Sequence, residues 1–407
     1  MEAAIAPAQQ VMELERQYLL QNYARYPLVL KRGRGCWVYD TAGKRYLDLI
    51  SGIGVNSLGH AHPRIVRAIR EQAAMLVHSS NLYYHEYQGP LAKKICETSG
   101  MQRVFFCNSG TEAIEGAIKM ARAHGRKIHP EKTEIIAFEN SFHGRTMGAL
   151  SITGQPKYRE PFEPLLPGVR ILGLHDDAAL EAAAGERTAA IFAEPIQGEG
   201  GIWPMSGDWL RRLRRLADRS GALLVFDEIQ CGAGRPGVYH AYQLHQPPVM
   251  PDIVTLAKPI AAGLPLGAIA CTEKAAAGIG PGMHGTTFGG GALACRVALE
   301  FYSILEELLP QMRRVSEYFF AGLRELQREF SFIRDVRGAG FMIGVDLDFP
   351  CKHLVNAGIE QGLLFNVTHD TVIRMLPPYI LTEKEAGRAL AGLRKIFRSA
   401  APASAGA

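Results

Sequence analysis

Apolar residues change their spacing along this chain, and the changes divide it into regions. Residues 12–23 follow a helical pattern, and three short strand-like runs at 28–30, 36–40 and 45–49 come next. The segment Asp40-Thr41-Ala42-Gly43-Lys44 has turn chemistry and joins the last two, so the runs read as an antiparallel meander. From residue 63 the texture is different. Strand-like runs at 104–107, 134–138, 169–172, 189–193, 222–226, 253–257 and 266–271 alternate with helical stretches such as 112–124 and 208–219. Runs with almost no polar position suit strands covered on both faces. The alternation therefore predicts an α/β fold with a mainly parallel seven-stranded sheet and helices on both faces. After residue 295 a helix of about thirty residues is expected, reaching residue 330. Short strands and helices follow at 332–337, 341–347, 372–375 and 383–397. This last part is expected to pack with the meander as a smaller α+β unit. The expected divisions are 1–62 and 296–407 for the smaller unit and 63–295 for the larger. The first ten residues and the tail 400–407 read as disordered. No internal repeat is visible.

Composition narrows the function. The chain has 407 residues, 47% hydrophobic and 21% charged, which suits a globular protein with a large core. The net charge of +5 is spread out, so no basic patch argues for nucleic acid, while anionic small molecules are compatible. Seven cysteines stand at 36, 96, 107, 231, 271, 295 and 351 without a CxxC pair. The odd count points to reduced thiols and a cytoplasmic protein. The N-terminus lacks a basic segment followed by an apolar core, and no apolar run is long enough for a membrane span.

Chemistry concentrates at the ends of the strand-like runs, where parallel sheets bind ligands. Ala222-Leu223-Leu224-Val225-Phe226 ends in Asp227, and Ile253-Val254-Thr255-Leu256-Ala257 ends in Lys258, with Pro259 stopping the pattern. An amine and a carboxylate at one sheet edge suit a carbonyl cofactor whose ring nitrogen must stay protonated. Pyridoxal 5'-phosphate has that chemistry: Lys258 would condense with its aldehyde and Asp227 would hold its ring nitrogen. A plain Asp–Lys salt bridge is the other reading of the pair. The segment Cys107-Asn108-Ser109-Gly110-Thr111-Glu112 reads as strand, tight turn and helix start, either a phosphate cup or a simple helix cap. In Ser141-Phe142-His143-Gly144-Arg145-Thr146, Phe142 could stack on a ring and Arg145 could clamp a carboxylate. The alternative is a packed loop aromatic and a surface arginine. Glu194 and Glu199 flank a glycine-rich turn, and Arg374 lies in an apolar run where its charge needs a partner. Thr286 and Thr287 offer hydroxyls on a glycine-rich loop.

Three other patterns carry less. Gly232-Ala233-Gly234-Arg235-Pro236-Gly237 matches GxGxxG, but no helix starts there, as a dinucleotide site requires. His60-Ala61-His62-Pro63 has metal-like spacing without further ligands and reads as a turn before a helix. Arg211-Arg212-Leu213-Arg214-Arg215-Leu216 is basic, but its leucines fall at helical spacing, so it reads as a solvated helix face.

Taken together, the motifs resemble class III PLP-dependent aminotransferases. Asn108-Ser109-Gly110-Thr111-Glu112-Ala113, Phe142-His143-Gly144-Arg145-Thr146, Glu194-Pro195-Ile196-Gln197-Gly198-Glu199-Gly200-Gly201, Asp227-Glu228-Ile229-Gln230, Ala257-Lys258 and His284-Gly285-Thr286-Thr287-Phe288-Gly289-Gly290 occur in the family's order. The similarity runs from about residue 23 to 397. It implies the PLP-dependent transferase fold type I and a homodimer with shared active sites. It also implies roles. Lys258 would bond to the cofactor and shuttle the proton, and Asp227 would pair with the ring nitrogen. Gly110, Thr111 and, from a partner copy, Thr287 would hold the phosphate. Phe142 would stack on the ring, with Gln230 near its phenolic oxygen. Arg145 would bind the α-carboxylate of the amine donor, and Thr286 would lie near the substrate. Arg374 would take the α-carboxylate of 2-oxoglutarate, with Glu199 covering it in the other half-reaction.

Within the class, Asn22-Tyr23-Ala24-Arg25-Tyr26-Pro27 and Gly52-Ile53-Gly54-Val55-Asn56-Ser57-Leu58-Gly59-His60 are similar to members acting on N2-acetylornithine. Ile53 stands where ornithine-specific members carry a tyrosine, and an apolar wall suits an amine capped as an amide. The expected donor is N2-acetyl-L-ornithine, in arginine biosynthesis. Ornithine, succinylornithine, 4-aminobutyrate and succinyldiaminopimelate are the alternatives. Gly290-Gly291-Ala292, Pro259-Ile260-Ala261-Ala262 and Ala233 depart from the family's usual residues, and none removes a reacting group.

Overall fold

The computed structural model describes residues 8–400. Its centre is a seven-stranded sheet built from β1 (Arg103–Cys107), β2 (Glu134–Phe138), β3 (Val169–Leu172), β4 (Thr188–Ala193), β5 (Leu223–Asp227), β6 (Ile253–Leu256) and β7 (Gly267–Cys271). The spatial order is β1-β7-β6-β5-β4-β2-β3. All strands run parallel except β7, which is antiparallel to both neighbours. The expected sheet is present, with run ends within two residues of the expected ones.

Alternation explains the absence of polar positions. Leu223, Val225 and Ile253 face one core with Ile114, Ala117 and Ala121 of the helix Gly110–Ile128. Leu224, Phe226 and Val254 face the other core, with Leu210, Leu213 and Leu216 of the helix Gly207–Ser220. Each strand thus has two apolar faces. The basic stretch at 211–215 lies on the outer side of that second helix, with Arg211, Arg212 and Arg214 paired to Asp208, Asp177 and Asp218.

Outside this sheet, segments from the two ends of the chain pair with each other. The meander comprises Leu30–Arg34, Trp37–Asp40 and Arg45–Asp48, and Leu363–Leu364 pairs parallel with its last strand. A second sheet orders Ile333–Ala339, Met342–Leu347, Val372–Met375 and Asn366–Thr368. The helix Ala292–Glu329 runs 38 residues, longer than expected, and its N-terminal turn begins before residue 295, inside the expected larger unit.

Other boundaries also moved. The first strand begins at Leu30 rather than at residue 28, because pairing with Trp37–Asp40 selects Arg32, Gly33 and Arg34 whatever their polarity. The first helix spans Ala8–Tyr18, so residues 8–10 are helical rather than disordered. Residues 1–7 and 401–407 lie outside the described residues, and Ala400 ends the helix Glu383–Ala400. His62 directly precedes the helix Pro63–Ala73, and His60 bonds to Asp48 at 2.8 Å. Gly232-Ala233-Gly234 leads into a turn with no helix start.

Candidate active site

The carboxyl ends of β1, β2, β4, β5 and β6 open on one cleft of about 420 Å³. Seven residues singled out from sequence line it: Lys258, Asp227, Gly110, Thr111, Phe142, Arg145 and Gln230; Glu199 lines it as well. Arg374 stands behind Glu199. Thr286 and Thr287 do not line this chain's cleft: Thr286 sits in a neighbouring recess and accepts from Asn108 Nδ2 at 3.1 Å, and Thr287 is exposed.

β6 delivers Lys258 into a single 3-10 turn, Lys258–Ala261. Its φ of +40° is left-handed, a conformation costly for a residue with a Cβ. Burial lowers the pKa of its amine, against the pull of the Asp227 and Glu199 carboxylates. An amine so biased is a better nucleophile near neutral pH.

Asp227 ends β5 and is 3% exposed. Its Oδ1 accepts from the Ile229 amide at 3.0 Å and the Thr255 hydroxyl at 3.3 Å, and its Oδ2 accepts from His143 Nδ1 at 2.7 Å. Burial disfavours an imidazolium at His143, but the Asp227 hydrogen bond together with the Asp227 and Glu194 charges outweighs it and raises the pKa. A buried carboxylate held by three donors is a fixed negative charge, which suits a cationic ring nitrogen.

At the end of β1, Ser109 caps the helix Gly110–Ile128, accepting from the Glu112 amide at 3.3 Å. The amides of the first turn have no helical partner and face the cleft mouth, where an anion is favoured. A Cβ at Gly110 would stand 2.8 Å from Ile229, so only glycine leaves the cradle open. Gly144 has the same property: its φ is +141° and a Cβ would meet Thr111 Oγ1 at 2.3 Å. Thr111 is bonded to Thr146 at 2.9 Å.

Past β2, the Phe142 amide donates to Glu194 Oε2 at 3.0 Å. Glu194 Oε1 accepts from Gly198 at 3.2 Å, so one carboxylate ties two loops of the cleft together. Burial and the neighbouring Asp227 charge push Glu194 up to about 7. Arg145 carries no carboxylate partner among the described residues; its guanidinium lies 3.8 Å from the Tyr158 ring centre. Arg374, by contrast, is 1% exposed and pairs with Glu199 Oε1 at 2.5 Å, with Asn366 Oδ1 at 3.1 Å and Gln230 Oε1 at 3.3 Å. Burial would raise the Glu199 carboxyl, but Arg374 outweighs it and holds the pKa below the usual range.

His143, Glu194 and Ile229 lie within the sequence motifs without an expected role. For His143 and Glu194 the available signal was a titratable residue beside an apolar strand end. For Ile229 there was none beyond its position two residues after Asp227.

The site fits pyridoxal 5'-phosphate: a reactive amine, a buried carboxylate, an amide cradle for phosphate and an aromatic face line one cleft. Residues 18–397 match the family model for class-III aminotransferases. The acetylornithine aminotransferase of Methanocaldococcus jannaschii is 46% identical over 95% of this chain and 97% of that protein. The crystal structure of ornithine aminotransferase from Toxoplasma gondii superposes with a TM-score of 0.92 at 34% identity, covering 97% of this chain and 96% of that one. That of acetylornithine aminotransferase from Elizabethkingia anophelis gives 0.85 at 31%, covering 96% and 99%. With the lysine, the carboxylate and the phosphate cradle meeting at one sheet edge, this chain belongs to the class-III aminotransferases, enzymes that work with pyridoxal 5'-phosphate.

Proposed function

We propose that this enzyme moves the terminal amino group of N2-acetyl-L-ornithine to 2-oxoglutarate, giving N-acetyl-L-glutamate 5-semialdehyde and L-glutamate, a step of arginine biosynthesis. The observation that carries the reading is the unequal state of two arginines. Among the described residues Arg145 has no acidic partner, whereas Arg374 is closed by Glu199. A ping-pong exchange needs this: one cation ready for the donor's carboxylate and one uncovered only for the dicarboxylic acceptor. The 46% identity to acetylornithine enzymes supports the donor. Val55 lines the cleft as an apolar wall, while Ile53, on which the sequence argument for the donor rests, lies outside the lining and is exposed in this chain.

When bound, the cofactor supplies the carbonyl that takes up the amino group and a ring that accepts the electron pair of a breaking C–H bond. The protein's residues do the rest. Lys258 would hold the cofactor through its Nζ and, once displaced by the donor, would serve as the base that holds and returns the proton at the reacting carbon. Asp227, held by His143 and Thr255, keeps the ring nitrogen protonated. Phe142 covers the ring's face, with its backbone fixed by Glu194. Gln230 sits between Arg374 and the ring site. The larger unit carries this machinery, and the smaller one brings Arg374 to it.

Two copies form the working unit in this proposal. The segment holding exposed Leu82, Tyr83 and Tyr84 is bonded to the loop carrying Thr286 and Thr287, through Asn81 to Gly289 at 3.1 Å and His85 to Gly290 at 2.7 Å. An apolar surface of this kind beside the exposed Thr287 hydroxyl suits a symmetric contact that delivers Thr287 to a second cleft. All seven cysteines are free, which supports a reducing cytoplasmic setting. Among the described residues no helix is long and apolar enough to cross a membrane.

The test is a comparison of kcat/KM for N2-acetylornithine and ornithine with 2-oxoglutarate as acceptor. A higher value for acetylornithine is expected; a higher value for ornithine refutes the donor.

A further inference from the structure

We infer that Tyr158 is a positioning residue that strengthens carboxylate binding in this enzyme by holding Arg145. The inference rests on the proposed role of Arg145 as the donor's carboxylate clamp. Arg145 is exposed at the cleft, and neither an acid nor a backbone carbonyl holds its guanidinium among the described residues. A long flexible side chain in that state would sample many rotamers and bind a carboxylate weakly. Its neighbours are aromatic instead. The guanidinium carbon is 3.8 Å from the Tyr158 ring centre and 5.5 Å from that of Phe142. The two rings meet edge to face, 6.2 Å apart and at 87°. A guanidinium packed by its face on a ring keeps its in-plane N–H donors free, and those are the groups a carboxylate binds.

Tyr158 can serve as a fixed support because its segment is bonded to the loop that carries Phe142 and Arg145. Asn140 donates to the Gly154 carbonyl at 2.9 Å, and Gly154 donates to Ser141 Oγ at 3.0 Å. The His143 amide donates to Thr153 Oγ1 at 3.0 Å, and Gln155 Nε2 to the Ser141 carbonyl at 3.4 Å. Approach is so close at Gly154 that a Cβ there would meet the Phe138 carbonyl oxygen at 1.9 Å. Lys157 adds a second cation 5.1 Å from the same ring centre, which raises the positive potential where the donor's carboxylate arrives. Arg374 has its own polar partners and no part in this arrangement. The effect of Tyr158 therefore passes through Arg145, which the donor's carboxylate and the distal carboxylate of 2-oxoglutarate meet in turn.

Four forms of the holoenzyme test this: wild type, Tyr158→Leu, Tyr158→Phe and Arg145→Ala. Leucine keeps apolar bulk without the ring face; phenylalanine keeps the face without the hydroxyl. KM and kcat are measured for acetylornithine and for 2-oxoglutarate. Calorimetric Kd for acetylornithine is measured on borohydride-reduced enzyme, which cannot turn over. Tyr158→Leu is expected to raise the donor's KM and Kd by about three- to tenfold, leaving kcat unchanged, and Tyr158→Phe to restore wild-type values. If Arg145→Ala weakens the donor and Tyr158→Leu does not, the positioning role is overturned while the clamp stands. A lowered melting temperature without rescue by Tyr158→Phe overturns it in favour of a structural role. Unchanged donor binding in Arg145→Ala overturns the clamp itself and this inference with it.

Discussion

Replacing Glu199 by glutamine should make this enzyme bind its acceptor more tightly. In the structure the acceptor's carboxylate must displace Glu199 from Arg374, whose guanidinium is almost fully buried. Glutamine keeps the shape and one hydrogen-bond acceptor but removes the charge. A hydrogen bond to a charged group contributes roughly 1.5–3 kcal/mol, which spans about ten- to hundredfold in affinity. The Glu199 side chain is 24% exposed, so solvent screens part of its attraction and the lower end applies, about tenfold. Arg374 keeps Asn366 and Gln230 as neutral partners, so the fold should survive. The assay is rapid-mixing absorbance on enzyme loaded with the amine form of the cofactor, titrated with 2-oxoglutarate. The Kd for 2-oxoglutarate should fall by about tenfold, and the variant should discriminate less against L-glutamate as a competitor of the donor. An unchanged or raised Kd in a folded variant would show that Arg374 does not receive the acceptor.

Three further outcomes follow from the same contacts. Lys258→Ala should leave a folded protein in which borohydride no longer fixes a cofactor chromophore to the chain; mass spectrometry that finds the adduct elsewhere refutes the assignment. Gly154→Ala should destabilise the fold by about 3 kcal/mol or more, because a methyl group cannot be placed against the Phe138 carbonyl without backbone movement, and a melting curve overlaying the wild type refutes the packing argument. Glu228, buried with the Ala241 and Tyr242 amides as donors, is pushed up to about 8 by burial. Since this folded pKa lies above that of an exposed glutamate, its contribution is fully present below about pH 4.5 and is lost as pH rises towards 8, at up to about 1.4 kcal/mol per pH unit. Glu228→Gln should be less stable at low pH but lose that slope, which denaturant titrations at pH 5 and pH 8 resolve; an unchanged slope refutes it.

Much of this molecule is local and so readable from residue order. A strand buried on both faces must be apolar at nearly every position, so all seven sheet strands declared themselves, and the residues just past them marked the cleft. Lys258, Asp227 and Gly110 stand out because an amine, a carboxylate and a glycine at strand ends have few other uses together. Boundaries set by pairing were not readable: the first meander strand is polar and exists because Trp37–Asp40 supplies its hydrogen bonds. Nor was the antiparallel direction of β7, since side-chain alternation is the same in either direction.

Contacts between distant positions belong to the tertiary structure alone. His143 reaches Asp227 across 84 residues and Arg374 reaches Glu199 across 175, and no spacing rule foretells which buried charge meets which. Tyr158 carries no signal in the sequence, and its place beside Arg145 follows from the bonds between its segment and the loop that bears Arg145. The sequence by itself determined which chemical groups the cleft holds, because these follow from strand ends and turn residues. Only the folded chain decided which of its cations is covered, which is free and which ring supports it, because those depend on distances between elements that local propensity does not encode.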